Sequence, residues 1–133
     1  MIVPDASAAT LLFTDPTADS RAASARTVLA ADPAWIVPEH WHTEVFSAIR
    51  GLWLGKRLDD AHAERAAATL ARMVVGATPT APLLPRMWEL RSSLSAYDAA
   101  YVAAAESHAC TLVTADARIA RSGAARCDIR VID

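Results

Sequence analysis

The stretch that decides the fold is Cys110-Thr111-Leu112-Val113-Thr114-Ala115-Asp116. Its apolar centre is typical of a buried strand, and an acid follows that strand after one small residue. The N-terminus has the same pattern of a short apolar strand followed by an acid, since Ile2 and Val3 are followed by a proline and then by Asp5. If both strands lie in one parallel sheet, both acids stand at its carboxyl edge.

Helical segments separate the strands along the chain. Further strands are predicted at residues 35–37 and 129–132, with a weak edge strand within residues 77–82. Helices are predicted over residues 6–13, 19–31, 38–52, 59–75, 84–93, 97–108 and 116–121. Strands joined by helical crossovers run parallel and are covered on both faces. The sequence therefore predicts one α/β domain over residues 1–133, with a central parallel sheet of four to five strands flanked by helices.

The composition of the chain excludes several classes of protein. With 133 residues, 53% of them hydrophobic and 31 of them alanine, the chain is long enough for one well-packed domain. No apolar run reaches the roughly 18–20 residues of a membrane helix, and the N-terminus has no basic region typical of a signal peptide. Cys110 and Cys127 form no paired motif. We therefore expect a reduced, cytoplasmic protein with no membrane partner.

Two further acids are expected near the same sheet edge. Asp98 falls in the first turn of one predicted helix, and Glu44 falls in the first two turns of another. Ligands of parallel α/β sheets gather at the carboxyl ends of the strands, where the following helices begin. Asp5, Glu44, Asp98 and Asp116 could thus converge, although they are far apart in sequence.

Each of these acids also has a purely structural interpretation. Asp5 and Asp116 are in positions to cap helices, Ser95 and Asp98 fit a capping box, and Glu44 could be a solvated helix residue. Four carboxylates at one edge repel each other unless a cation or protons offset their charge. A hard divalent cation such as Mg²⁺ suits oxygen ligands and needs only one or two direct carboxylates.

Four stretches, each built around one of these acids, span the chain in order: residues 2–8, 37–45, 94–103 and 112–120. The most specific are Leu94-Ser95-Ala96-Tyr97-Asp98-Ala99-Ala100-Tyr101-Val102-Ala103 and Leu112-Val113-Thr114-Ala115-Asp116-Ala117-Arg118-Ile119-Ala120. Together the four stretches resemble those of the PIN-domain ribonucleases, specifically the VapC-type toxins of bacterial toxin–antitoxin pairs.

This resemblance implies a site and an activity. Asp5, Glu44, Asp98 and Asp116 would be the catalytic and metal-binding acids, and Ser7 and Thr114 the small hydroxyls that support them. The implied reaction is endonucleolytic cleavage of RNA, assisted by Mg²⁺ or Mn²⁺ through a metal-activated water. The implied setting is the bacterial cytoplasm. Arg118 and Arg121 stand where some members of the family carry a further acid.

The resemblance also implies partners. A VapC-type toxin has a cognate antitoxin that obstructs the acidic site, and it forms a homodimer, for which exposed residues such as Trp53 would serve. Arg91 and Arg118 are the candidate contacts for RNA or antitoxin, because arginine forks suit phosphate and carboxylate groups. We interpret the nearby Trp88 and Leu90 as core residues.

Other functions are weighed against this one. A receiver-like signalling domain has a similar length and an acidic Mg²⁺ pocket, but it needs a lysine at a late strand end, and Lys56 lies between two helices. A haloacid-dehalogenase-type phosphatase needs a second Asp where Ser7 stands. A PIN fold kept only as a protein-binding module stays open. His40 and His42 are weak zinc ligands, since residues two apart on a helix point to different sides.

The overall charge is compatible with an RNA substrate. The net charge of −2 excludes a strongly basic, nonspecific nucleic-acid binder. With four of the 15 acids assigned to a metal site, however, 11 acids face 13 basic residues. Attraction for RNA would then be local.

Overall fold

The computed structural model describes all residues from Met1 to Asp133, and its strands all pair in parallel. The strands are β1 (Ile2–Pro4), β2 (Ile36–Pro38), β3 (Gly76–Thr78), β4 (Thr111–Thr114) and β5 (Ile129–Val131). The helices are α1 (Ala6–Thr10), α2 (Arg21–Ala30), α3 (Trp41–Leu54), α4 (Asp60–Arg72), α5 (Leu84–Glu89), α6 (Ala96–Ser107) and α7 (Ala117–Arg121). A short 3₁₀ helix, Ala81–Leu83, precedes α5. No helix has the length and apolar character needed to cross a membrane.

The predicted α/β fold is confirmed, and the sheet has an interruption. Strands β1, β4 and β5 form one hydrogen-bonded sheet with β4 in the middle, and β2 pairs with β3 in a second. Only an isolated bridge between Ile2 and Trp35 joins the two pieces. The strands thus lie side by side in the order β3, β2, β1, β4, β5.

Two prolines explain the interruption. The Ile2 N–H donates to Ala34 O (2.9 Å), so alternate residues of β1 face β2. The next donor on that side would be Pro4, and its counterpart on β2 would be Pro38. Because proline has no N–H, the ladder between β1 and β2 stops after one bridge.

Helix α6 lies at the centre of the domain. Seven consecutive residues, from Ala99 to Ala105, are buried, and five of them are alanine. A helix that is apolar on all sides is buried on all sides, and small side chains let neighbouring elements approach closely. The alanines of α6 therefore contribute to the high alanine content of the chain and allow the helix to pack closely at the centre of the domain. This burial fixes the position of the α6 N-terminus, which carries Asp98.

Two local predictions are wrong. The third helix begins at Trp41 and not at residue 38, because Pro38 completes β2 and a turn separates the two elements. Leu90 is buried as predicted, but Trp88 is 67% exposed. Helix α5 has only six residues, and Trp88 lies on its solvent side, stacked under the guanidinium of Arg91 at 4.2 Å.

The end of the sheet opposite the strand-following acids is closed by an ion-pair network. Arg86 of α5 donates from Nε to Glu106 Oε2 (2.8 Å) and from Nη2 to Glu106 Oε1 (3.0 Å), near the end of α6. Arg86 Nη2 also donates to Ala124 O, and the Arg126 N–H donates to Glu106 Oε1. This network ties α5, α6 and the segment before β5 together.

The same network makes a prediction about pH and stability. Burial would raise the pKa of Glu106, but the hydrogen bonds from Arg86 and from the Arg126 N–H outweigh it and hold that pKa below its usual value of 4.5. A carboxyl with a lowered pKa stabilises the fold above its unfolded pKa, and this contribution is lost as the pH falls through the folded pKa. Glu106→Gln should therefore destabilise the protein by about 1–3 kcal/mol at pH 7. The difference should shrink below pH 4.5.

Urea denaturation at several pH values measures this effect. Glu64→Gln is the matched control, since Glu64 is exposed and makes no ion pair or hydrogen bond. A Glu106→Gln penalty that stays constant from pH 7 to pH 3.5, or one that Glu64→Gln reproduces, would contradict the assignment.

Candidate functional site

Asp5 is the most deeply placed of the four predicted acids. It directly follows β1, and its carboxylate caps α1 by accepting the Ala8 N–H at Oδ1 (2.9 Å). Its side chain also accepts from Ser7 Oγ (2.6 Å) and from Thr114 Oγ1. Only 3% of the residue is exposed. The cap that the sequence suggested is thus present, and the same carboxylate stands at the carboxyl edge of the sheet.

The hydroxyls of Ser7 and Thr114 connect the two strand ends. Thr114, the last residue of β4, donates to Asp5 and accepts the Asp116 N–H at 2.9 Å. Ser7 donates to Asp5 and accepts the Ala115 N–H at 2.9 Å. The segment that carries Asp116 is therefore held to Asp5 through two hydroxyl groups.

Asp116 is the N-cap residue of α7, and its carboxylate is paired with an arginine. Its carboxylate accepts from the Arg118 N–H, and the Arg118 guanidinium donates to both of its oxygens, Nη2 to Oδ2 at 2.6 Å. The hydrogen bonds from Arg118 hold the pKa of Asp116 below its usual range. The guanidinium itself is on the surface, with 79% of the side chain exposed.

Glu44 lies in the first turn of α3 and contacts two aromatic residues. Its Oε1 accepts a hydrogen bond from the hydroxyl of buried Tyr101 (2.9 Å), and its Oε2 lies 4.0 Å from His40 Nε2. That histidine nitrogen is buried and has no hydrogen-bond partner. Burial raises the pKa of Glu44; the Tyr101 hydrogen bond opposes the rise, and the charge of Asp98 adds to it.

Asp98 is the acid whose charge affects the pKa values of two of the other acids. It stands in the first turn of α6, which Ser95 caps by accepting the Asp98 N–H. Burial raises the pKa of Asp98, and the negative charge of Asp116 raises it further. The charge of Asp98 in turn raises the pKa of both Asp5 and Glu44, in each case after a larger contribution from burial. The four predicted acids therefore share one electrostatic environment around Asp98.

The donor set of this cluster fits a hard divalent cation. All four candidates are carboxylates, three of them have raised pKa values, and Arg118 neutralises only Asp116 by direct pairing. The side chains as they stand bring no three His, Cys, Asp or Glu residues close enough to hold one ion directly. An ion that keeps several of its waters and takes only one or two carboxylates directly, as Mg²⁺ does, needs no such set of three ligands.

Two residues at this site have roles that sequence reasoning missed. His40 precedes α3, so its half-buried ring faces Glu44 and the start of α6, while His42 is exposed on another side of the helix. Tyr101 lies one turn after Asp98 on α6, a spacing that places both on the same face and could have indicated its role. Arg91, by contrast, makes no hydrogen bond or ion pair with any of the four acids.

Comparison with known proteins identifies the family. The family model described as the PIN domain matches residues 2–124. Ribonuclease VapC9 of Mycobacterium tuberculosis is 42% identical over 132 residues, which cover 99% of this chain and 98% of that protein. The chain belongs to the VapC-type PIN-domain family. Ribonuclease VapC12 of the same organism is 33% identical over 135 residues, covering 99% of both chains.

Solved structures of other proteins share the fold. Mycobacterium tuberculosis VapC20, described as a sarcin–ricin loop cleaving toxin, superposes with a TM-score of 0.69 at 23% identity, covering 92% of this chain and 95% of that one. FitAcB from Neisseria gonorrhoeae gives a TM-score of 0.64 at 20% identity, covering 97% and 96%. The PIN-family assignment removes the receiver-like and dehalogenase-like alternatives.

The hydroxyl connection between Asp5 and Asp116 can be tested. Thr114→Val keeps the shape of the side chain but leaves the Asp116 N–H without its acceptor and removes a donor to Asp5. We expect a loss of about 1–3 kcal/mol in the free energy of unfolding. Thr114→Ser keeps the hydroxyl and loses a methyl group, which removes about 1 kcal/mol or less. Equal destabilisation by both substitutions in urea denaturation would contradict a role for the hydroxyl.

Proposed function

We propose that this chain is a divalent-metal-dependent endoribonuclease that acts as the toxin of a toxin–antitoxin pair in the bacterial cytoplasm. The observation that carries the proposal is the connection of Asp5 to the segment of Asp116 through the hydroxyls of Ser7 and Thr114 at one edge of the sheet. It occurs in a chain that is 42% identical to a VapC ribonuclease along nearly its whole length. The proposed substrate is RNA, and the proposed reaction is hydrolysis of a phosphodiester bond.

The charge of the site explains why a cation is required. An RNA phosphate brings a further negative charge to a cluster whose carboxylates already repel each other. Asp5, Glu44, Asp98 and Asp116 are the residues that would hold Mg²⁺ or Mn²⁺. Such an ion acidifies a water and offsets charge on the phosphate oxygens.

The chain's own residues fix the orientation of two of these acids, Asp5 and Glu44. Both oxygens of the Asp5 carboxylate accept hydrogen bonds, from the Ser7 and Thr114 hydroxyls and from the Ala8 N–H. These bonds hold the carboxylate in one orientation. Tyr101 holds Glu44 from the buried side. Preorganised ligands of this kind lose little entropy when they bind an ion or a substrate.

Arg118 is placed to exchange partners at this site. In the structure its guanidinium pairs with Asp116. If Asp116 held a cation, the guanidinium of Arg118 would be free to pair with an RNA phosphate through its planar fork. Arg91, which stacks on Trp88 and pairs with none of the four acids, remains a candidate for contact with RNA or with the antitoxin.

The proposed partners follow from charge and exposure. A negatively charged site favours an antitoxin that brings a basic side chain to it. Helix α3 presents Phe46, Trp53 and Leu54 to solvent, each between 44% and 54% exposed, and such a face suits a second copy of the chain. We therefore propose a homodimer formed through α3.

The nuclease proposal is tested with purified protein, total cellular RNA and Mg²⁺. Asp98→Asn should lower the cleavage rate by about 10- to 100-fold, because Asp98 is one of the acids proposed to hold the cation. Asp128→Asn is the matched control, since Asp128 is exposed at the opposite end of the sheet and makes no side-chain hydrogen bond. Chelation of the metal should abolish cleavage by both the wild type and the control.

The outcomes separate the alternatives. Discrete cuts that survive Asp98→Asn in a folded protein would contradict the proposed site. Cleavage that survives chelation would contradict the metal dependence. Absence of cleavage by the folded wild type under any divalent ion would favour a non-catalytic binding module.

Sedimentation tests the dimer independently of activity. The wild type should sediment as a dimer at micromolar concentration, and Phe46→Glu should shift it to monomer by placing a charge on the α3 face. Val74→Glu adds the same charge at a residue that is 95% exposed between α4 and β3, and it should leave the dimer intact. A strictly monomeric wild type would contradict this interface.

A further inference from the structure

Three aromatic rings lie in contact beside the acidic cluster. The His40 ring lies 4.8 Å from the ring of Tyr101 and 5.0 Å from the ring of Tyr97, measured between centroids. Tyr101 is fully buried, His40 is half-buried, and Tyr97 is 60% exposed. The three rings therefore form a row of tilted aromatic contacts that starts in the core, at the Glu44 hydrogen bond, and ends in solvent.

Tyr97, whose ring is the outermost of the three, has no evident structural role in the fold. The Tyr97 hydroxyl makes no hydrogen bond, and its ring contributes nothing to the buried core. The ring nevertheless packs on His40 and stands in the first turn of α6, immediately before Asp98. An exposed aromatic face next to the reactive edge of a site is a contact surface for a flat ligand.

The chemistry that fits such a face is a nucleobase. Every base has a flat π-surface, and proteins that bind single-stranded RNA stack unpaired bases on exposed aromatic side chains. We propose that Tyr97 is a substrate-binding residue on whose ring the base next to the scissile phosphate stacks, with His40 as the residue that positions the ring. This inference rests on the ribonuclease function proposed above, and it adds a preference for single-stranded RNA, because a base must leave a duplex to stack there.

Steady-state cleavage of a single-stranded RNA oligonucleotide tests the proposal. Tyr97→Ala should lower kcat/KM by about 5- to 100-fold, which is the range that loss of one stacked base produces. Tyr97→Phe keeps the ring and should stay within about 3-fold of the wild type. The Mg²⁺ concentration needed for half-maximal rate should be the same for all three proteins, because Tyr97 is not among the four acids proposed to hold the ion.

An abasic substrate separates stacking from a purely structural effect. Removing the base next to the cleaved phosphate should cost the wild type the same factor that Tyr97→Ala costs on the intact substrate. The Tyr97→Ala protein should lose no more than about 2-fold on the abasic substrate, since the partner of the base is already gone.

Each result bears on one claim. Independent, multiplicative losses for the variant and the abasic substrate would overturn the stacking proposal while leaving the nuclease intact. An unchanged kcat/KM for Tyr97→Ala would do the same, and a change in sedimentation of that variant would assign the ring to contact with a second copy. If the folded wild type cleaves no RNA, the proposed function fails, and the stacking proposal fails with it.

Discussion

The site depends on the parallel pairing of β1 with β4. Thr114, the last residue of β4, donates a hydrogen bond to Asp5, which directly follows β1. The two residues are 109 positions apart in the sequence. Parallel pairing places both carboxyl ends at one edge, and the hydroxyls of Ser7 and Thr114 then connect the two chain segments. A shift of this pairing by one residue would turn Thr114 away from Asp5 and separate the first acid from the fourth.

Electrostatics constrain the cluster in a second way. The fold brings four carboxylates into mutual influence, and the pKa values of Asp5, Glu44 and Asp98 are raised, in each case chiefly by burial and further by a neighbouring charge. An arrangement that disfavours the charged forms of its own side chains lowers stability, and proteins keep such arrangements at functional sites. Arg118 relieves part of this repulsion by pairing with Asp116. A bound cation would relieve the rest, which is the physical basis of the proposed metal dependence.

The two ends of the sheet have different tasks. At the acidic end, only Asp116 of the four acids forms an ion pair with an arginine. At the opposite end, Arg86 and Glu106 form an ion pair that holds α5 against α6. Three arginines of the chain accordingly have different contacts. Arg86 stabilises the fold, Arg91 stacks on Trp88, and Arg118 alone contacts the cluster. Only the main partner of Arg86 is distant along the chain, since Glu106 lies 20 residues away. Arg91 and Arg118 contact Trp88 and Asp116, which are three and two residues away.

Local patterns in the sequence determined the strands, the helices and the acids that follow the strands, because apolar runs and helix caps depend on neighbouring residues. Asp5 and Asp116 were expected at the sheet edge for this reason, and the structure places both there. Whether the four acids act on RNA stays a prediction. Only the tertiary structure decided that Trp88 is exposed, that Pro4 and Pro38 interrupt the sheet, and that His40 joins Tyr97 to Tyr101. Each of these features depends on which distant elements meet, and that is fixed by packing around α6 rather than by any local pattern.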